Sequence, residues 1–215
     1  MTTLVSPVAL PLTLKERELA PAVLRQKATF EEYLEFAEQC EYNVEYVNGE
    51  IVLMSQASLP HESLIGYIIT CFNLLFEEDK ASEVFSSNIK IHVETTGESF
   101  NADVSVIRGK PDYLRLPSGR LSTVEVKNPV LVVEVLSEST QGFDLGEKLE
   151  SYKQIPSLEQ VLFVSPHQPW VSSYVRSETP GAWLNTSFHA LADTATVLGK
   201  PVALSAIYRK FTFGG

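Results

Sequence analysis

Two carboxylates and a lysine stand out as residues that could do chemistry together: Asp103 in "NADVSVI", Glu134 in "NPVLVVEVLSEST" and Lys148 in "DLGEKLESY". Glu134 interrupts an apolar run, Val130 to Leu136, of the kind that forms a strand buried on both faces. An unpaired charge there costs on the order of several kcal/mol even after its surroundings relax. A proton, a cation, a hydrogen-bond donor or a metal ion must therefore meet it. Asp103 lies in, or begins, a strand that can pair with that of Glu134. Two converging carboxylates on neighbouring strands suit a hard divalent cation, because Mg²⁺ takes oxygen ligands, keeps several waters and is commonly held by one or two carboxylates. Lys148 falls one helical turn after Asp144 and one before Tyr152, beside the apolar stripe Leu145, Leu149 and Tyr152. Its stem can follow the sheet-facing edge and carry the ammonium to the carboxylates. The same residues equally fit a structural ion-pair network, with Lys148 neutralising Asp144 or Glu134.

These residues need a sheet and a helix to hold them, and the pattern supplies both. "TFEEYLEFAEQ" opens with a capping box, Thr29 with Glu32, ahead of a helix. "VEYVNGEIVLM" places Asn48-Gly49 between two apolar-rich runs, a strong hairpin signal. "HESLIGYIITCFNLLFEE" has apolar residues at helical spacing and predicts a long helix packed on the sheet. "EVFSSNIKIHVE", "ADVSVIRG", "PVLVVEVLS" and "LEQVLFVSP" read as strands. A helix, "DLGEKLESYKQI", precedes the last of them and opens on a second capping box, Asp144 with Glu147. Further strand-like runs follow, "PWVSSYVRSE", "AWLNTSFHA" and "VALSAIYRKFTF". The order predicts a mixed α/β (α+β) architecture, a mixed sheet flanked by helices.

The 215 residues suffice for one good-sized domain and are short for two. The expected division is a loosely ordered arm over residues 1–28 and one domain over 29–215. The longest apolar stretch, Leu64 to Phe76, is too short and too polar to span a bilayer. The N-terminus has no basic region ahead of its apolar part, so it does not read as a signal peptide. With two cysteines and neither a metal-knuckle nor a disulfide spacing, a cytoplasmic location is expected. A net charge of −10 argues against a general nucleic-acid binder. The charge is uneven, however: residues 28–79 hold eleven Asp or Glu and no Lys or Arg. From Arg108 to Asn128 the balance reverses, with Arg108, Lys110, Arg115, Arg120 and Lys127 against Asp112 and Glu125. That basic segment is either an ordinary solvated loop or a phosphate-contacting surface. Ser137 and Ser139 either hydrogen-bond to Glu134 or merely end its strand. No Gly-x-Ser-x-Gly elbow, P-loop or GxGxxG is present, so acyl transfer, NTP hydrolysis and dinucleotide chemistry have no support.

Taken in order, Asp103, "VLVVEVLSEST", "DLGEKLESY" and "SLEQVLFVSP" resemble the Uma2 family of restriction-endonuclease-like proteins. "YNVEYVNGEIVLMSQASLPHESLIGYI" is similar to that family's N-terminal hairpin and helix, with His61 at the matching histidine, and "ALSAIYRKFTF" to its usual ending. The resemblance runs from about Thr29 to the end. It implies a PD-(D/E)XK nuclease fold with an added N-terminal helix and hairpin, dependence on Mg²⁺ (Mn²⁺ as substitute), and hydrolysis of phosphodiester bonds in nucleic acid, DNA foremost. Carried over, Asp103 and Glu134 bind the metal, the Val135 carbonyl adds a ligand, and Lys148 is the catalytic lysine. A lone histidine such as His61 is ordinarily a surface or capping residue; the resemblance makes it a site-lining one. Glu50 is an exposed hairpin carboxylate or faces the same cleft, and Arg108, Lys110, Arg115 and Arg120 are the expected phosphate contacts. A homodimer is expected by the same resemblance. Three positions depart from the pattern. Ala102 replaces a proline, Leu136 stands where the wider superfamily keeps a strand lysine, and "VSP" with Ser165 replaces Val-Asp-Pro. The reading from another class is a catalytically silent nuclease-fold module that binds nucleic acid or a protein partner.

Overall fold

A computed structural model describes residues 10–54 and 57–213. The chain opens with a short helix α1 (Leu14–Glu18), capped by the Thr13–Glu16 capping box, and a strand β1 (Leu24–Lys27). Helix α2 (Phe30–Gln39) carries the expected Thr29–Glu32 capping box. Strands β2 (Glu45–Val47) and β3 (Glu50–Leu53) form the expected hairpin. Asn48 and Gly49 turn it with φ of 51° and 77°, the doubly positive pair that matches strand twist in a tight hairpin. The long helix α3 (Leu59–Leu75) is capped by Ser58 and buries Leu64, Ile65, Ile68 and Phe72.

The run "EVFSSNIKIHVE", read as one strand, is two. Strand β4 (Ser82–Ser86) and strand β5 (Lys90–Val93) are separated by a turn in which Ile89 N–H donates to the Ser86 carbonyl at 3.2 Å. Ser87 and Asn88 are residues that compete with strand pairing and favour such turns. The break lets the chain change sheets. It does so again after β6 (Glu98–Asn101), before entering β7 (Val104–Arg108). The β8 (Tyr113–Arg115) and β9 (Leu121–Val126) hairpin then precedes β10 (Pro129–Val135), in which every residue is buried. A helical run follows: α4 (Gln141–Phe143), a π-helical turn (Asp144–Lys148) and α5 (Leu149–Tyr152). After it come β11 (Gln160–Val164), β12 (Val171–Arg176), β13 (Trp183–Phe188), β14 (Thr194–Val197), β15 (Lys200–Ala203) and α6 (Leu204–Ile207).

The strands make a seven-stranded sheet, β1-β3-β2-β6-β5-β9-β8, a six-stranded sheet, β13-β12-β11-β10-β7-β4, and the small β14-β15 pair. Both large sheets are mixed: β5 with β9 and β10 with β11 are parallel, and the other pairs are antiparallel. This is the mixed architecture expected. One core packs α3 against the six-stranded sheet. A second packs residues of both sheets with Leu149, Tyr152, Ile155 and Leu158.

Residues 1–28, expected to be a loose arm, are ordered over the part the structure describes; residues 1–9 lie outside it. Strand β1 pairs with β3, and Glu41 accepts from the Leu14 N–H at 2.9 Å. Arg17, 3% exposed, donates to the carbonyls of Met54, Pro21 and Ala22. Arg17→Ala would strand those carbonyls and is expected to lower stability by about 1–3 kcal/mol. For a chain of this size that is a fall in Tm of roughly 2–4 °C per kcal/mol. An unchanged Tm in a thermal melt would mean that the segment does not stay docked.

Candidate active site

The site forms where the chain passes from one sheet to the other. Val133 of β10 pairs with Val104 of β7, and the ladder ends there. Two residues on, the Val135 N–H donates instead to Asp103 Oδ2 at 2.7 Å. The Asp103 carboxylate thus substitutes for a backbone acceptor and is fixed against the end of β10. His61, in the first turn of α3, completes this corner: its Nε2 lies 2.8 Å from the Val135 carbonyl oxygen and 3.3 Å from Asp103 Oδ2.

Glu134 points the other way, into a second network. Its Oε1 accepts from the Lys148 ammonium at 2.9 Å and from the Tyr152 hydroxyl at 2.7 Å. Lys148 Nζ also lies 3.0 Å from Glu45 Oε1, donates to the Asn101 carbonyl at 3.4 Å, and is 3.9 Å from Asp144 Oδ1. The local helix geometry makes this possible. In the π-helical turn the Leu149 N–H reaches back five residues to the Asp144 carbonyl, a widened turn of the kind that recurs at functional sites. It sets Asp144 and Lys148, both 4% exposed, on the same inward face. The capping box expected from Asp144 and Glu147 does not form. The helical run already begins at Gln141, and Asp144 lies within it, accepting from the Thr140 hydroxyl at 2.7 Å. Ser137 likewise bonds to Thr140 at 2.8 Å, its hydroxyl serving the turn into the helix.

Three carboxylates, Glu45, Glu134 and Asp144, thus face one fixed ammonium, and Asp103 is close enough to act on Glu134. Burial pushes Glu134 well above the usual carboxylate range; Lys148 opposes this, while Asp103, Asp144 and Glu45 reinforce it. Asp144 is also raised, chiefly by burial. Burial alone would strip Lys148 of its proton, but Glu134 and Glu45 outweigh it and hold the ammonium charged. His61 is raised in the same way, its burial overcome by Asp103 and the Val135 carbonyl. Glu45 Oε2, Asn101 Oδ1 and His61 Nδ1 are buried with no hydrogen-bond partner among the described residues.

All these groups except Tyr152 line a cavity of about 750 Å³. Its donor set fits a hard cation. Asp103 and Glu134 each give one oxygen to the protein, and the other, Oδ1 or Oε2, has no protein partner among the described residues. The Val135 carbonyl stands beside them. No three His, Cys, Asp or Glu side chains cluster as a ready-made metal cage among the described residues, so a cation here would rest on two carboxylates, a carbonyl and water, the mode suited to Mg²⁺.

The structure brings Asp103, Glu134, Val135, Lys148 and His61 together and leaves the other expected residues outside. Glu50 pairs with Arg25 at 3.6 Å and does not line the cavity. Nor do Arg108, Lys110, Arg115 or Arg120. Arg108 is bound to Glu159 at 2.6 Å, and it ends the strand that Asp103 precedes, about 16 Å away at the rise of a β-strand. Arg115 donates to the Gly119 carbonyl in the β8–β9 hairpin at 2.7 Å. Glu45 and Tyr152 join the site beyond the residues expected from the sequence. Glu45 carried the same signal as Glu134, a carboxylate inside the apolar run "VEYV".

A family model, Uma2, described as "Putative restriction endonuclease", matches residues 30–206. The uncharacterized protein slr1290 of Synechocystis sp. is 32% identical over 197 residues, 90% of this chain and 98% of that one. A second uncharacterized protein of that organism, sll1609, is 33% identical over 141 residues, 63% of this chain and 73% of its own length. A crystal structure from Anabaena variabilis, described as "a putative nuclease belonging to DUF820", superimposes with a TM-score of 0.62 at 16% identity, over 82% of this chain and 97% of that one. The fold is therefore that of a restriction-endonuclease-like nuclease.

The excess of buried carboxylate has a measurable signature in the metal-free protein. Glu134 is faced by Lys148, Asp103, Asp144, Glu45 and Tyr152, and its folded pKa stands well above its ordinary 4.5. Between those values the folded state binds more protons than the unfolded, so stability falls as pH rises through that window. Glu134→Gln removes this contribution. Urea unfolding in the presence of a chelator should therefore show the variant gaining on wild type as pH rises above 4.5. A pH-independent difference would mean that Glu134 is ionised throughout.

Proposed function

The chain belongs to the Uma2 family, and on that footing we propose that it is a divalent-metal-dependent nuclease hydrolysing phosphodiester bonds in DNA. The observation that carries this is the pair of carboxylate oxygens without a partner among the described residues, Asp103 Oδ1 and Glu134 Oε2, on residues that line one cavity together with Val135 and Lys148. Asp103, Glu134 and the Val135 carbonyl would hold the cation. Mg²⁺ or Mn²⁺, when bound, supplies a water of lowered pKa and withdraws charge from the phosphoryl oxygens.

The chain's own residues do the rest. The Val135 N–H and His61 keep Asp103 in one orientation, and the Tyr152 hydroxyl does the same for Glu134. Lys148, held charged by Glu134 and Glu45, presents a donor to the attacking water or to the charge building on the phosphate. Its fixed position is worth more than its charge alone, since preorganised donors need no rearrangement as the reaction proceeds. No described helix is long and apolar enough to cross a membrane, which agrees with a nucleic-acid substrate met in solution.

Mn²⁺ should raise the thermal stability of the wild type by about RT ln(1 + [Mn²⁺]/Kd). Asp103→Asn, near-isosteric and partly exposed, should lose both that rise and Mn²⁺-dependent cleavage of DNA. Lys148→Gln should keep the Mn²⁺ response but slow single-turnover cleavage by roughly 100-fold or more. Mn²⁺ binding without cleavage of any DNA would instead identify the silent binding module, and identical Mn²⁺ responses in wild type and Asp103→Asn would remove the metal site.

A further inference from the structure

We infer that the cleft takes a single strand of nucleic acid and not a duplex; this rests on the nuclease reading of the same site. The first reason is depth. Glu134 and Lys148 are each 4% exposed in a cavity of about 750 Å³. That is the size of a small-ligand pocket and holds about one or two nucleotides. A duplex carries its phosphates on the outside of a stiff rod, whereas a single strand can bend its backbone inward. Enzymes whose reacting atoms lie at the bottom of a pocket act on single strands or on nucleotides drawn out of the stack.

The second reason is the charge of the walls. Duplex binding draws its affinity from many Lys and Arg contacts to phosphates. Here the fixed cations on the cavity wall are Arg17 and Lys148. Lys148 is surrounded by Glu45, Glu134 and Asp144. Arg17, 3% exposed, donates to backbone carbonyls and has no carboxylate in ion-pair range among the described residues, so it gives that wall a positive field but few free donors. None of the basic residues of 108–127 lines the cleft. Lys127 is paired with Glu94 and Asp112 at 2.9 and 3.2 Å, and Arg108 with Glu159. The whole chain carries −10.

The third reason is what the walls hold instead. Half-buried Tyr42 and Phe211 line the cavity with their remaining exposed surface; Tyr42 also packs on the core around Tyr33 and Val44, and Phe211 meets the rings of Tyr208 and Phe213. Single-strand sites combine cations that track the backbone with aromatic faces on which bases stack without regard to sequence. Arg17 belongs to a segment ahead of the residues matched by the family model, 30–206, so this chain's own N-terminal region supplies the cation for that wall.

The test uses the full chain with Ca²⁺ for binding and Mn²⁺ for cleavage, on one labelled sequence of about 12 nucleotides presented as single-stranded DNA, duplex DNA and single-stranded RNA, a length within single-strand site sizes. Fluorescence anisotropy should show a single strand bound at least about tenfold more tightly than the duplex, with a shallower salt dependence. The two single strands identify the sugar, and either preference supports the inference. Tyr42→Ala should weaken single-strand binding roughly 5- to 150-fold, while Tyr42→Phe, which keeps the ring, should not. Duplex binding as tight as either single strand overturns the inference, as does binding of none of the three, or an equal loss in Tyr42→Phe. Single-strand preference without cleavage in Mn²⁺ leaves the inference standing and removes the nuclease reading; preferential cutting of the duplex does the reverse.

Discussion

One ammonium group shared among buried carboxylates is the constraint around which the structure is arranged. Lys148 lies within 3.0 Å of both Glu134 and Glu45, which come from different sheets, and it reaches them from a helix outside both. Removing either partner of such a set would leave an uncompensated buried charge, costing about 3–5 kcal/mol. An apolar substitute for the whole set would cost little by comparison. Stability alone therefore does not account for it, and neither does charge balance, since three carboxylates outnumber the one lysine. The divalent cation proposed for the site would supply the missing positive charge.

The surrounding fold serves to bring distant parts of the chain to that point. The turn at Ser87 and Asn88 and the crossing at Ala102 and Asp103 each transfer the chain between sheets. As a result β6 places Asn101 beside Glu45 while β7 pairs with β10. The π-helical turn then aims Lys148 and Asp144 into the gap. On the outer side β1 lengthens the seven-stranded sheet and Arg17 ties the N-terminal segment to Met54, the end of β3. The docked segment thereby becomes a wall of the cleft.

Much of this was legible in the residues. The buried run around Glu134, the Asn48-Gly49 hairpin, the Thr29 cap and the long helix ending at Leu75 follow from local pattern alone, and the family resemblance pointed to Asp103, Lys148 and His61. What local pattern hid was determined by distant partners. The run from Glu83 to Glu94 alternates well enough to pass for one strand, and only the pairing of its halves with β7 and β6 shows the break. Asp144 has a capping residue's chemistry, but the helix begins earlier, where Thr140 and Ser137 bond to each other. The basic segment reads as a phosphate surface because sequence reports charge without direction; in the fold Arg108 is engaged by Glu159, Lys127 by Glu94 and Asp112, and Arg115 by the Gly119 carbonyl, outside the cavity. Arg17 looked disordered because its partners are carbonyls, which no pattern of side-chain types reveals.

The two halves of the site meet in one peptide unit. Glu134 sends its side chain to Lys148 and Tyr152, while the next residue, Val135, offers its N–H to Asp103 and its carbonyl to His61. Side chains alternate along a strand, so a slip of one residue in β10 would turn Glu134 to the other face and withdraw both backbone groups together. Burial of every residue from Pro129 to Val135 makes such a slip costly. Pairing on both sides, antiparallel to β7 and parallel to β11, fixes the register a second time. The most apolar strand of the chain is thus the suitable place for a carboxylate that must be positioned closely. Its neighbours anchor the backbone, and the charge is left to the lysine, the tyrosine and, on the proposed reading, a cation at the open oxygens.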